Sequence, residues 1–497
     1  MPSTSTASLP REDQAAATGI GRFEVRAALG WVAVLLGAVP FLLLWLLVQR
    51  SWSPLSTLDG EVAADLNASV SGSPLLVGVL RAVTTLGGTG TAVLLFLLAT
   101  LFLLIRSQRR LAAFVATTGV GLAVLGPLTK AIVDRARPVV ESPVVDTPSN
   151  ASFPSGHAMT ALVTWGTLLV LTLPSVRRRL RPWLVAATVL VVVAVGFTRL
   201  ALGVHFVSDV LAGWALGAGW LAVTTATFRG WQHRRGVHPD EPLDPLAVDP
   251  DDAPHLAGAD GPGEPRARAL SLRLLAVAAG LFAVVTALGL LVTAVLTGTW
   301  LGRFDRGVVR WFAEIRSADL STVMEWVGRL SGTPAVIALG LSLAVLGLAV
   351  TASRRPAVFV VVTLVGEVAL YFVSAEVVDR MRPAVADLTS SLPSGASWPS
   401  GHTAAAAALY GAVAALVIAY WRGPWRWAVL VLPVVLAPAI GVSRIYAAAH
   451  YPTDVLAGLL LGGLWVYACA RVLLPRPGHG ARSGSRAGSP AAATAHQ

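Results

Sequence analysis

The sequence predicts an all-α integral membrane protein made of two tandem six-helix bundles, with about twelve transmembrane helices. Three observations predict this fold class. The chain of 497 residues is 55% hydrophobic and only 13% charged, and its mean hydropathy of +0.68 is too high for a soluble protein of this size. Long apolar segments recur between short polar loops, and a set of polar residues occurs twice at constant spacing.

Six apolar segments of near-span length lie in the first half of the chain. They cover residues 27–49, 88–105, 111–132, 158–173, 183–198 and 206–227. The first has the length of a membrane span and lacks a small-residue cleavage site, so we interpret it as an anchor and not as a signal peptide. Residues 1–26 are predicted to be a cytoplasmic tail, and 27–228 the first six-span domain.

A second set of six apolar segments makes up the second half. They cover residues 274–296, 334–350, 357–373, 403–420, 427–442 and 455–473. Between the sets, residues 229–268 are rich in Pro and Asp and predict a disordered cytoplasmic linker. Residues 269–473 form the second predicted domain, and 474–497 a disordered cytoplasmic tail.

The duplication rests on polar residues and not only on hydrophobicity. The first set is Arg137, Pro138, Ser155, His157, Arg199, His205 and Asp209. Each recurs 245 positions later, as Arg382, Pro383, Ser400, His402, Arg444, His450 and Asp454. Hydrophobic composition alone would repeat the spans but would not hold seven such positions at one offset.

Arginine-rich loops predict the orientation. Arginines cluster between spans two and three and between spans four and five, and the matching loops of the second half are also basic. By the positive-inside rule these loops are cytoplasmic. Both termini are then cytoplasmic, and the repeated polar residues face the extracytoplasmic side.

The polar residues of the first half can assemble an anion-binding site at the outward ends of spans three to six. Lys130 and Arg137 are seven residues apart, which on a helix would place them on one face. Ser155 and the Gly156 amide begin span four, where a cap and a helix N-terminus favour an oxyanion. A basic residue at a span end is more often an interfacial anchor, but that reading does not explain two matching sets.

Three motifs resemble the signatures of the type 2 phosphatidic acid phosphatase superfamily, which includes lipid phosphate phosphatases and isoprenyl diphosphate phosphatases. They are Lys-x6-Arg-Pro at residues 130–138, Pro-Ser-Gly-His at 154–157 and Arg-x5-His-x3-Asp at 199–209. The family has a six-helix core, so the resemblance covers nearly the whole of each half. Thr198 stands where the family more often has Ser.

The resemblance implies a role for each residue of the first half. His205 would attack phosphorus and carry a phosphohistidine, Asp209 would orient its ring, and His157 would protonate the leaving oxygen. The phosphoryl oxygens would be bound by Lys130, Arg137, Ser155, Gly156 and Arg199. No metal and no cofactor are expected. The expected partners are the membrane and a lipid phosphate substrate, with no nucleic acid and no obligate protein partner.

The second half predicts a weaker or differently tuned site. Its catalytic candidates are His450, His402 and Asp454, and its phosphate-binding candidates are Arg382, Ser400, Gly401 and Arg444. Ala375 replaces Lys130, the only lysine of the chain, and Glu376 beside it is expected to add repulsion. Arg380 is a candidate substitute cation. Glu367, inside a span, is either a paired bundle residue or a partner for an arginine of this site.

The function predicted from these residues is a metal-independent membrane lipid phosphatase of the bacterial cytoplasmic membrane, acting on phosphatidate-type or polyprenyl lipids at the outer face. Two alternatives stay open. The second half could be a degenerate substrate-binding or scaffold module beside one catalytic half. The chain could instead be a twelve-span transporter, since two six-span repeats match that plan.

Overall fold

The fold was analysed in a computed structural model that describes residues 35, 37–141, 143–145, 149–233, 267–385, 396–421 and 423–475. Over these residues the regular structure is helical, as the sequence predicts. The contacts divide the chain into two compact units, Met1–Ala257 and Gly258–Gln497. The predicted N-terminal tail, nearly all of the predicted linker and the C-terminal tail beyond residue 475 lie outside the described residues.

The described residues of the first unit form eight α-helices. In chain order they are α1 (Gly37–Gln49), α2 (Ser53–Ser71), α3 (Pro74–Thr84), α4 (Thr89–Ile105), α5 (Arg109–Val133), α6 (Gly156–Thr172), α7 (Arg181–Ala201) and α8 (Val207–His233). The last helix continues five residues past the boundary at which the linker was predicted to begin.

The second unit repeats the plan. Its helices are α9 (Ala267–Ala294), α10 (Trp300–Glu314), α11 (Ala318–Arg329), α12 (Thr333–Thr351), α13 (Arg355–Val378), α14 (Gly401–Tyr420), α15 (Ala437–Tyr446) and α16 (Pro452–Leu473). A 3-10 stretch, Pro424–Leu430, and a π stretch, Leu432–Leu436, lead into α15 and belong to the same span.

Ten helices of the described residues are long and apolar enough to cross a membrane. An eleventh span forms if α3 and α4, which are bent by 41° at their junction, are counted together. The predicted first span is represented by the shorter apolar helix α1, because its beginning lies outside the described residues. The protein is therefore a multi-pass, all-α membrane protein.

Each unit has a pair of helices before its second predicted span that hydropathy did not predict. They are α2 with α3 in the first unit and α10 with α11 in the second. Helix α10 is amphipathic: Asp305 and Val309 are buried on one face, while Trp300 and Trp311 are exposed on the other. Exposed tryptophans on an amphipathic helix are typical of the membrane–water interface.

Small residues bring the fourth and sixth spans of each unit close together at the ends that carry the polar motifs. A Cβ at Gly213 of α8 would lie 2.6 Å from the Ser155 carbonyl oxygen, and one at Gly458 of α16 would lie 2.5 Å from that of Ser400. The Ser155 amide donates to the Asp209 carbonyl at 2.9 Å, and the Ser400 amide donates to the Asp454 carbonyl at 3.0 Å. Close backbone approach at glycine thus joins two motifs in each unit.

Candidate active site

The predicted cations of the first half converge, but not by the helical spacing expected from sequence. Helix α5 ends at Val133 because Asp134 takes a left-handed conformation, with φ of 41°. Arg137 therefore lies on an extended segment beyond the helix. The expected shared helix face is wrong, yet both side chains reach the Ala151 carbonyl, Lys130 Nζ at 2.7 Å and Arg137 Nη2 at 3.4 Å.

The Arg137 guanidinium is fixed from several sides. Its Nε and Nη2 donate to the backbone and side-chain oxygens of Asn150 at 2.9 and 2.6 Å, and its Nη1 donates to the Val204 carbonyl at 2.7 Å. The same Nη1 lies 3.2 Å from His205 Nε2. The positive charge of Arg137 therefore lies next to Nε2 of the His205 ring.

His205 lies between the cation and a carboxylate. Its Nδ1 is 3.4 Å from Asp209 Oδ2, which also accepts the Phe206 amide at 2.9 Å. Both side chains are buried, His205 at 2% exposed and Asp209 at 0%. With its Nδ1 proton directed at the carboxylate, the ring presents the Nε2 lone pair for attack, which is the geometry of an activated nucleophile.

The electrostatic environment keeps His205 neutral. Burial lowers the pKa of His205 to about 4, the hydrogen bond and charge of Asp209 act in the opposite direction, and the charges of Arg137 and Arg199 lower it further. A neutral imidazole is the nucleophilic form. Asp209 is placed to stabilise a positive charge on this ring.

Ser155 is the N-cap of α6, as predicted, and its hydroxyl accepts from the Ala158 amide at 3.5 Å. Gly156 begins the helix, and a Cβ there would lie 3.8 Å from Lys130 Cε. The lysine therefore lies beside the positive end of the helix dipole, where an anion is favoured. His157 follows on the first turn of α6, with Nε2 3.9 Å from the position of a Cβ at Gly88.

Arg199 completes the group of cations. It lies near the end of α7, only 7% exposed, and its Nη1 donates to Thr84 Oγ1 at 3.1 Å. Thr84 ends α3, so an unpredicted short helix holds one of the predicted cations. The first half thus brings Lys130, Arg137 and Arg199 together with His157, His205 and Asp209.

A buried ion-pair network behind His205 was missed by the sequence reasoning. Arg135 Nη1 donates to Asp209 Oδ1 at 2.7 Å, and its Nη2 donates to Asp59 Oδ2 at 2.9 Å. Ser208 also joins Asp59 to Arg135: its amide donates to Asp59 Oδ1 at 3.0 Å, and its hydroxyl accepts from Arg135 Nη1 at 2.7 Å. The ring of Phe206 lies 4.2 Å from the guanidinium carbon. Helix α2, through Asp59 and Arg135, therefore helps to fix the carboxylate that contacts His205.

The second half contains the same network. Arg380 Nη2 donates to Asp305 Oδ2 at 2.8 Å, and its Nη1 donates to Asp454 and to Thr453 Oγ1. The prediction of Arg380 as a substitute phosphate-binding cation is therefore wrong, because two buried carboxylates take its charge. The signal was present in sequence: Arg135 recurs at the 245-residue offset, and Asp59 recurs at 305, one position further.

His450 has a different hydrogen-bond partner from His205. Its Nδ1 lies 3.9 Å from Asp454 Oδ2 and instead donates to the Ser397 carbonyl at 2.7 Å. The Ser397 hydroxyl and the Tyr451 amide both donate to Asp454 Oδ2. Burial and the charge of Arg382 lower the pKa of His450 to about 3, with smaller effects from His402 and Arg444, while the hydrogen bond that the ring donates to the Ser397 carbonyl opposes them.

The remaining candidates of the second half occupy matching positions. Ser400 is the residue before α14 but its hydroxyl pairs with Thr403 Oγ1 at 2.8 Å, and the helix begins at Gly401. His402 follows on the first turn. Arg382 Nη1 donates to the Ala449 carbonyl at 3.2 Å, and a Cβ at Gly328 would lie 2.4 Å from Arg444 Nη2.

The replaced lysine position lies near the end of α13. Ala375 is there, and the Glu376 side chain beside it is exposed, so it is directed away from the buried histidines. Glu367 is 1% exposed, two turns earlier on the same helix. The second half thus keeps two of the three cations.

All candidate residues lie at the same ends of the helices. In the first half they stand at the end of α5, the start of α6, the end of α7 and the start of α8. The arginine-rich loops join the opposite ends, between α4 and α5 and between α6 and α7. The site is therefore on the side of the bundle opposite to the basic loops.

Comparisons with known proteins agree with the two-fold pattern. The PAP2 superfamily matches residues 110–232 and again residues 356–477. Phosphatidylglycerophosphatase B of Bacillus subtilis is 35% identical over 89 residues, which are 18% of this chain and 43% of that protein. Undecaprenyl-diphosphatase of Sulfolobus acidocaldarius is 32% identical over 112 residues, or 22% and 48% of the two chains.

Another relative is covered more fully. Decaprenylphosphoryl-5-phosphoribose phosphatase of Mycobacterium tuberculosis is 35% identical over 136 residues, 26% of this chain and 68% of that one. The first two relatives are matched over less than half of their length. A crystal structure of a transmembrane PAP2-type phosphatidylglycerolphosphate phosphatase from Bacillus subtilis aligns with 24% identity and a TM-score of 0.35, over 40% of this chain and 97% of that one.

Proposed function

The chain belongs to the PAP2 superfamily, whose domain it carries in two tandem copies, and on that premise we propose that it is a membrane lipid phosphatase whose first half holds the main catalytic site. The observation that carries the proposal is the convergence on His205. Its Nδ1 faces the Asp209 carboxylate at 3.4 Å, its Nε2 faces Arg137 at 3.2 Å, and Lys130 lies beside the N-terminus of α6.

In the first step His205 Nε2 attacks the phosphorus of a lipid phosphate. A nitrogen–phosphorus bond forms as the bond to the leaving oxygen breaks, and His157 supplies a proton to that oxygen. Lys130, Arg137 and Arg199 neutralise the equatorial oxygens, and the α6 amides add the helix dipole. Asp209 balances the positive charge that develops on the ring.

In the second step water replaces the histidine. His157, now neutral, takes a proton from the water, whose oxygen attacks phosphorus as the nitrogen–phosphorus bond breaks. Inorganic phosphate leaves and His205 returns to its neutral form. Every charge and proton in this scheme is supplied by side chains of the site, so the proposal includes no metal ion.

The substrate class is a phosphomonoester or diphosphate on a lipid. The relatives are named for such groups on glycerol-based and polyprenyl lipids. Two features support a headgroup reaction over transport: the polar residues lie at helix ends and not in mid-span, and they lie on the side opposite the basic loops. By the positive-inside rule this is the outer face of the cytoplasmic membrane of a bacterium.

The test is phosphate release by the purified full-length protein over a panel of lipid phosphates. The panel contains phosphatidate, phosphatidylglycerophosphate and a polyprenyl diphosphate, each assayed with wild type, His205→Ala, His450→Ala and the double variant. We expect His205→Ala to remove nearly all activity, since the nucleophile is lost. Activity that survives in the double variant would show that the phosphatase proposal is wrong.

A further inference from the structure

Three differences between the halves fall on one stripe of one helix. Leu122, Gly126 and Lys130 of α5 correspond to Glu367, Tyr371 and Ala375 of α13, each at the 245-residue offset. Residues four apart on a helix are neighbours on the same face. The lysine position and the two turns behind it have therefore changed together.

The Tyr371 ring takes the place of the lysine beside the helix N-terminus. A Cβ at Gly401 would lie 2.9 Å from Tyr371 Cε2 and Cζ, whereas the matching Cβ at Gly156 would lie 3.8 Å from Lys130 Cε. Cζ carries the hydroxyl, so the phenol oxygen stands near the amides that begin α14. Tyr371 also lies within electrostatic range of Arg382, one of the phosphate-binding candidates.

One of the three changes, the replacement of Lys130 by Ala375, removes a positive charge from the second site. The first half has Lys130, Arg137 and Arg199, which suits a phosphomonoester that is close to dianionic near neutral pH. The second half keeps Arg382 and Arg444 and replaces the ammonium with a neutral donor. The buried Glu367 carboxyl lies one turn behind Tyr371 and interacts with it electrostatically. Two cations and a phenol suit a phosphoryl group with a single negative charge.

The second site is also less well arranged for attack on phosphorus. The His450 Nδ1 is bonded to the Ser397 carbonyl and not to Asp454, so a cationic ring would lack the direct carboxylate contact that His205 has. The second site thus keeps two arginines for an anion but lacks the direct contact between histidine and carboxylate.

We propose that the second half is a binding site for a phosphodiester headgroup of a membrane lipid, held by Arg382, Arg444 and the Tyr371 hydroxyl. Tyr371 is the specificity-determining residue, because it substitutes a neutral hydrogen-bond donor for a third cation. The inference rests on the proposed function only in treating the second half as a phosphoryl-binding site.

The test measures binding with the first site disabled. Full-length protein carrying Lys130→Ala and His205→Ala is purified in detergent and titrated calorimetrically with dihexanoyl phosphatidylglycerol, a phosphodiester, and with dihexanoyl phosphatidate, a phosphomonoester. We expect the phosphodiester to bind about tenfold more tightly, because a second negative charge would lack its partner. Adding Tyr371→Phe is expected to weaken phosphodiester binding about fivefold, the usual contribution of one hydrogen bond.

A matched control and a reversal sharpen the test. Tyr410→Phe removes a phenol that donates to the Leu330 carbonyl in the same unit, and should leave binding unchanged. Tyr371→Gly with Ala375→Lys restores two of the three stripe positions of the first half, and should shift the preference to phosphatidate by about tenfold or more.

Failure of the inference is separable from failure of the proposed function. No binding of either lipid, equal binding of both, tighter binding of phosphatidate, or no effect of Tyr371→Phe would each overturn the inference. The proposed function is tested separately, by measuring phosphate release by the wild-type protein. That assay uses neither the binding titration nor the Tyr371 variants.

Discussion

The two halves share a framework but differ in the atoms that would meet a phosphoryl group. Both hold a buried aspartate with an arginine that reaches a second buried aspartate, Arg135 to Asp59 and Arg380 to Asp305. The histidine contact to the first aspartate is 3.4 Å in one half and 3.9 Å in the other.

This difference distinguishes residues that stabilise the fold from residues that the fold does not need. Asp454 accepts hydrogen bonds from Arg380, Ser397 and the Tyr451 amide, so losing it would leave a buried arginine with one carboxylate fewer. Its presence is explained by stability alone. Lys130 has no such role in the framework, and Ala375 at its place shows that the fold forms without it.

The largest difference between the halves should come from the two aspartates. Asp209→Asn is expected to lower kcat on the order of 10⁴-fold, because the amide no longer favours the reactive tautomer or balances the cationic ring. Asp454→Asn should change total phosphate release less than about twofold, because the first site carries the reaction. Both are measured by phosphate release, with thermal unfolding as the control for folding. Equal losses in the two variants would contradict the asymmetry.

The lysine should give the next largest effect. Lys130→Ala makes the first stripe resemble the second in charge and is expected to lower kcat/KM by about 10- to 100-fold, since a charge-assisted contact contributes about 1.5–3 kcal/mol. Lys130→Arg should recover part of the loss, because a planar guanidinium keeps the charge but not the geometry. Arg106→Ala, in the basic loop at the other end of the bundle, is the matched control. Full activity of the Lys130→Ala variant would contradict the view that this lysine makes the first site the more active one.

The buried networks give a smaller effect on activity and a shared effect on stability. Asp59→Asn and Asp305→Asn should both lower the unfolding midpoint, because breaking a buried ion pair costs about 3–5 kcal/mol. Only Asp59→Asn should also lower kcat, by about tenfold, with KM nearly unchanged, because it loosens the carboxylate that orients His205. Of the two conservative variants, Arg135→Lys should retain less kcat than Asp59→Glu, since one ammonium cannot bridge both acids. Loss of kcat in Asp305→Asn would argue for two working sites.

The smallest expected difference concerns proton binding by the nucleophile. Because burial lowers the pKa of His205 to about 4, its ring stays neutral from pH 7 down to about 5 and becomes protonated only below that. Carbethoxylation of His205 by diethyl pyrocarbonate, followed by mass spectrometry of its peptide, should therefore hold its rate over this range and decline near pH 4. His450→Ala should leave the profile unchanged. A midpoint near 6.5, the value of an exposed imidazole, would mean that the ring is not buried in this way.

The membrane class, the tandem duplication and most of the candidate site could be predicted from the amino-acid sequence. Hydropathy sets where spans can lie, because an apolar segment of span length is stable only in a bilayer or a core. The constant offset paired His205 with His450 and Lys130 with Ala375 without any coordinates. These features depend on local composition and spacing, which a linear sequence carries in full.

The contacts among those residues could not be predicted in this way. Helix α5 stops at Val133, so Arg137 reaches Lys130 through a loop and not along a helix. Asp59 joins Arg135 across 76 positions, and Tyr371 occupies the space beside Gly401. Such contacts depend on how separate helices pack and on which side chain fills the space between them. The spacing of residues within one segment sets neither of these.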